Sequence, residues 1–156
     1  MKAILATLLI LSSLAIADDT SIPLKDAQNI QSFTPSKFEI ARPKLKEGQI
    51  VKLSFLAKLN MESEAATHKE AVYGNSFFAY VEDEKYKSVK VIVPDSVRDW
   101  FLKLPSSAHN DNYYLNPKVV VFGKIEDDGV LLIGTEMKQS FDKVTFSWAG
   151  HDKKGN

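Results

Sequence analysis

Residues Pro117 to Gln139, PKVVVFGKIEDDGVLLIGTEMKQ, constrain the fold more than any other stretch of the chain. Val119, Val120, Val121, Phe122 and Ile125 form an apolar, largely β-branched run. Asp127, Asp128 and Gly129 interrupt it, and Val130, Leu131, Leu132 and Ile133 resume it. This is the pattern of a β-hairpin. Gly129 is expected to take the left-handed backbone that closes a short loop with a bulge. Both arms are apolar at consecutive positions rather than alternating. That predicts cover on both faces, as in a small closed barrel and not an open sheet wetted on one side.

The other end of the chain carries a different signal. Met1 to Ala17 has a lone positive charge at Lys2, an apolar run from Ala3 to Leu11, and Ala15, Ile16, Ala17 before Asp18. These are the three parts of a secretory signal peptide. A membrane span needs about 20 apolar residues, and Ser12 and Ser13 break this one early. Cleavage after Ala17 leaves roughly 140 residues, enough for one domain with a single core. The expected location is periplasmic or secreted. The chain has no cysteine, so an exported form has neither a disulfide framework nor a thiolate metal site. Twenty basic residues balance twenty acidic ones, which argues against a dedicated duplex-DNA binder while allowing a local basic patch.

From Asp18 to Glu47 the chain is polar, with Pro23, Pro35 and Pro43 spaced along it and no sustained apolar period. It reads as an N-terminal arm whose prolines forbid a long helix. Phe33, Phe38 and Ile40 are expected to pack on the domain as a lid, or else the arm is a mobile recognition element. From Gly48 a long strand follows, with Val51, Leu53, Phe55, Ala57 and Leu59 alternating with Lys52, Ser54 and Lys58. After a polar connection, Met61 to Asn75, two further strands are predicted at Phe77 to Glu82 and Lys87 to Val93, joined by a turn at Asp83 to Tyr86. Pro94 stops the third strand. Asp95 suits a helix N-cap, and Val97, Trp100, Phe101 and Leu104 fall on one apolar stripe. That stripe predicts a helix, with Trp100 and Phe101 plugging a barrel end. Beyond Gln139, Phe141 to Trp148 alternates weakly, with Val144, Phe146 and Trp148 on one side, and is expected to add a short edge strand before a polar tail.

Three strands, one helix and a closing hairpin form the order of elements in the oligonucleotide/oligosaccharide-binding fold, or OB-fold, and Gly48 to Gln139 resembles it. The chain is similar to small exported bacterial proteins of that fold. The resemblance implies a mainly β domain: a five-stranded OB-like Greek-key barrel with one helix between strands 3 and 4. The resulting division is a signal peptide (1–17), an arm (18–47), the barrel (48–139), and an edge strand with a polar tail (140–156). The resemblance also implies a ligand surface on the second and third strands, flanked by the loop after the first strand and the turn between the last two.

Catalytic signals are sparse. His68, His109 and His151 lie in three separate polar segments without metal-ligand spacing. No GxSxG motif is present, and turn chemistry explains Asp127 and Asp128 as well as a cation site does. Glu82, Asp83 and Glu84 read as a second, solvated acidic turn. The expectation is a non-catalytic protein with no metal and no cofactor. If Phe77, Ala79 and Val81 face the core, period two sends Phe78 and Tyr80 outward, and Lys52, Lys58 and Lys90 outward on neighbouring strands. Those five residues are the candidate ligand face. A carbohydrate, an anionic polymer or a protein partner fits the compartment, with single-stranded nucleic acid as the alternative. In a structural protein the same face would be sealed by the arm through Phe33 and Phe38.

Overall fold

Alternation decides the architecture. Val51, Leu53 and Phe55 are buried along the strand Ile50–Leu56, while Lys52, Ser54 and Leu56 between them are only half-buried. The computed structural model describes residues 20–57, 76–104 and 118–149. Met1 to Ala17, expected as a signal peptide, the stretch 58–75 with Lys58 and His68, and the stretch 105–117 with His109, Tyr113 and Tyr114 lie outside the described residues, as does His151. Within them the protein is mainly β, with nine strands and few helical turns. Two short strands come first, β1 (Ser21–Pro23) and β2 (Gln31–Phe33), each followed by a helix, α1 (Leu24–Ala27) and α2 (Pro35–Ala41). The strands β3 (Ile50–Leu56), β4 (Ser76–Glu82) and β5 (Ser88–Pro94) follow, then α3 (Arg98–Lys103). The hairpin β6 (Lys118–Glu126) and β7 (Gly129–Gly134) leads to β8 (Glu136–Ser140) and β9 (Lys143–Ser147).

Five of these strands close on themselves. β3 pairs antiparallel with β6 along its whole length, from Ile50↔Lys124 to Leu56↔Lys118, and β6 pairs antiparallel with β7. β7 runs parallel to β5, β5 pairs antiparallel with β4, and β4 returns to β3 at Leu56↔Glu82. The enclosed core is built from Leu53, Phe55, Phe77, Val91, Ile125 and Leu132 with their neighbours.

Both ends of this barrel are corked. Ser76 pairs with Pro94 and Glu82 with Ser88, so these two pairs mark opposite ends. At the Pro94 end, a 3-10 turn (Asp95–Val97) runs into α3, and Val97 and Phe101 point inward, with Phe101 5.9 Å from Phe77. Two expectations are corrected here. Trp100 packs against the core only from its rim, half-buried and 5.0 Å from Trp148, because Val97 and Phe101, four apart, hold the inward side of so short a helix. Asp95 makes no capping hydrogen bond: Pro94 occupies the cap position, and the Asp95 carboxylate lies 3.7 Å from Arg98.

The second cork is the N-terminal arm, which packs on the domain through Phe33 and Phe38 as expected of a lid. β2 adds to β3 in parallel, Gln31↔Val51 to Phe33↔Leu53. α2 then lays Phe38 into the barrel core with Phe33 edge-on to it at 6.0 Å. It does so at the Glu82/Ser88 end, where Ser36 bonds Asp83 and Glu39 pairs with Lys87. Ile40, expected in the same lid, points to solvent.

The hairpin is covered on both faces, but the outer cover comes from a second sheet. β9, expected as an edge, is the middle strand of the order β1-β9-β8. Its Val144 and Phe146 pack on Ile50, Phe122 and Ile133 from outside the barrel. β8 belongs to this sheet as well, so the hairpin ends at Gly134 and not at Gln139. Gly129 does not take a left-handed backbone. It is needed because a Cβ there would lie 2.7 Å from the Lys90 carbonyl oxygen, where β7 runs beside β5.

Candidate ligand face

The predicted alternation holds on β4 and β5. Phe77, Ala79, Val81, Val89, Val91 and Val93 all line the barrel core, so Phe78, Tyr80, Lys90 and Ile92 face outward. The pairing sets Tyr80 directly opposite Lys90 and Phe78 opposite Ile92. The face is not a row of open aromatics, however. Tyr80 is 39% exposed, whereas Phe78 is 2% exposed and Ile92 is fully buried.

Lys90 explains part of that burial. Its ammonium sits 3.8 Å from the centroid of the Phe78 ring and 2.6 Å from the Asp128 carboxylate. Half-withdrawn from water over a ring face, such a cation gains about 1–2 kcal/mol from the ring quadrupole. The ion pair holds the β6–β7 turn against β5. An incoming anionic group at this face would therefore compete with Asp128 for Lys90, and the part-exposed Tyr80 lies directly across from that lysine.

The other predicted members separate. Lys58 lies outside the described residues. Lys52 faces outward as expected, but its neighbours are Phe122 of β6 on one side and Ser32 of β2 on the other. Its ammonium lies 5.9 Å from the Phe122 ring, toward the second sheet. Insertion of β2 beside β3 removes Lys52 from the β4–β5 face. The arm does not seal that face through Phe33 and Phe38, because both rings pack into the barrel core.

The acidic turns are engaged rather than open. Asp128 holds Lys90, Glu126 pairs with Lys124 at 2.8 Å, and Arg42 donates to the backbone oxygens of Glu126 at 3.0 Å and Asp127 at 3.4 Å. Asp83, expected in solvent, is buried. One of its carboxylate oxygens accepts from the Ser36 amide at 2.8 Å and from the Ser36 hydroxyl, and the other from the amides of Lys85 at 3.0 Å and Lys87 at 3.3 Å. Burial by itself would raise its pKa. The hydrogen bonds from Ser36, Lys85 and Lys87 outweigh it and hold the carboxyl at about 2. Four donors on one aspartate fix the turn, and within it Tyr86 adopts φ 58°. Composition gave no hint of this, because the donors are backbone amides and a serine 47 residues away.

A groove of about 180 Å³ lies beside this cluster, lined by Thr34, Ser36, Ser54, Asp83, Lys85 and Lys118 among others; none of the four described members of the predicted site, Lys52, Phe78, Tyr80 and Lys90, lines it. Among the described residues, no group of three His, Asp or Glu side chains is placed to hold a metal ion. No helix there is long and apolar enough to cross a membrane. No protein-family model, curated protein or solved structure matches the chain.

Proposed function

We propose that this chain is an exported, non-catalytic binding module on an OB-type Greek-key barrel, taking an envelope carbohydrate, an anionic polymer or a protein partner on the outer face of β4 and β5. Support for the fold comes from connectivity. Counted from β3, the strands follow the order 1-2-3-5-4 and return to 1, the third and fifth are parallel, and a helix lies between the third and fourth. That is the arrangement expected of an OB barrel; β1, β2, β8 and β9 are additions outside it. Export rests on the Met1 to Ala17 pattern.

The observation that carries the binding reading is the cross-strand pair of a part-exposed Tyr80 and Lys90, beside the β6–β7 turn. Single-stranded nucleic acid is the weaker ligand. Stacking successive bases needs several open rings, each worth about 1–3 kcal/mol, and burial of Phe78 removes one. The same burial favours a second reading, a structural protein whose face is occupied within its own fold.

The two separate on changing Tyr80 to Ser and Lys90 to Gln together. Melting curves and binding would be measured for a heparin oligosaccharide, a neutral β-glucan oligosaccharide, a single-stranded oligothymidylate and an envelope extract. Binding of a probe by the parent protein, lost in a variant of similar melting temperature, supports the module. No binding by the parent, or binding that survives the double change, removes it.

A further inference from the structure

Every residue of β8, Glu136–Ser140, is exposed, and among the described residues the strand pairs with β9 alone. The open edge has a defined hydrogen-bonding parity. The Phe146 amide donates to Thr20 on the β1 side at 2.9 Å, and the Ser147 carbonyl accepts from Thr135 on the β8 side at 2.8 Å. Alternation along an antiparallel ladder then turns the backbone groups of Glu136, Lys138 and Ser140 toward β9, and those of Met137 and Gln139 toward the open edge. Met137 is opposite Phe146, so its side chain lies on the barrel side of the sheet, where it is 47% exposed.

We propose that β8 is the two-fold interface of a weak homodimer, pairing antiparallel with β8 of a second copy and centred on Met137. The sequence of the strand is self-complementary in that register. Glu136 meets the partner's Lys138, and the symmetry makes Lys138 meet the partner's Glu136. Both fall at non-hydrogen-bonded positions, where side chains approach most closely. Met137 meets the partner's Met137 next to Phe146, extending the apolar cluster between barrel and second sheet. Centring on Lys138 would set two ammonium groups together, and centring on Gln139 would leave Glu136 and Lys138 without opposite charges. The balanced formal charge of the whole chain adds no long-range repulsion between copies. Strand-to-strand pairing of Glu136, Met137 and Lys138 falls below the roughly 1,200 Å² of a standard stable interface, so the dimer dissociates on dilution.

Sedimentation velocity over a concentration series, with amide exchange at Met137, tests this. The expected result is a monomer–dimer equilibrium with exchange at that amide slowing as concentration rises. Glu136→Lys and Lys138→Glu each create two like-charge pairs and should weaken the dimer about tenfold, while the double reversal restores it. β8 is exposed along its length, so circular dichroism should show all three variants folded. A parent protein that stays monomeric throughout overturns the proposal, as does a double reversal no tighter than the single ones. Slow exchange at Met137 independent of concentration also overturns it, since the edge would then be covered within one chain or by another partner.

Discussion

Asp83 receives both the backbone amide and the side-chain hydroxyl of Ser36 on a single carboxylate oxygen, across 47 residues of sequence. Through that contact the turn between β4 and β5 is tied to the start of α2, the helix that seats Phe38 in the barrel. The N-terminal segment is thus part of the core's construction. Asp83→Ala should destabilise the protein by about 2–4 kcal/mol, since it strands the Ser36, Lys85 and Lys87 amides at a part-buried site and removes hydrogen bonds to a charged group. Ser36→Ala should cost less, because Lys85 and Lys87 still hold the turn. Chemical denaturation of the two variants gives the comparison.

Acid stability carries the same signature. The Asp83 carboxyl is held at about 2 against an ordinary 3.8, so the folded state favours the ionised form. Its stabilising contribution is complete above about pH 4 and is lost as pH falls through 2. Parent protein should lose stability across that window more steeply than Asp83→Asn, measured as melting temperature from pH 5 to 2. Parallel curves would show that other carboxylates carry the acid transition.

Phe101, and not Trp100, is the aromatic on which the Pro94 end depends. Phe101→Ala should cost about 3–5 kcal/mol, the range for emptying a large core site. Trp100→Ala should cost clearly less, since its ring lies half-exposed against Trp148. Equal losses in urea melts would contradict the division of roles.

Gly134 marks the place where the chain leaves the barrel for the second sheet. A Cβ there would lie 2.6 Å from the Ser147 carbonyl oxygen and 2.9 Å from its nitrogen. Backbone cannot yield as a side-chain tip can, so Gly134→Ala should cost about 1–3 kcal/mol. Phe141→Ser, at a 99% exposed turn position, should stay within about 0.5 kcal/mol of the parent.

Strands and their inward residues were legible wherever one face meets the core and the other does not. Period two in Val51, Leu53 and Phe55, and in Phe77, Ala79 and Val81, predicts their burial correctly. It fails to predict Phe78, because alternation reports direction and not what covers a face. The strands β1 and β2 escaped detection because three residues are too few for a period, and because partners at least 120 residues away for β1 and 20 away for β2 stabilise them. Consecutive apolar residues in the hairpin did announce two covered faces. That the outer cover is Val144 and Phe146 could not be read, since a five-residue strand in a weakly alternating stretch looks the same at an edge or in the middle.

Mapping amide chemical shifts of the parent protein during titration with the four probes tests the central claim, that the β4–β5 outer face is a ligand surface. The account predicts that at least one probe moves Tyr80, Lys90 and the Asp127–Asp128 turn together while Lys52 and the Ser36–Asp83 contact stay still. Saturating shifts confined to other surfaces, or none with any probe, would contradict it.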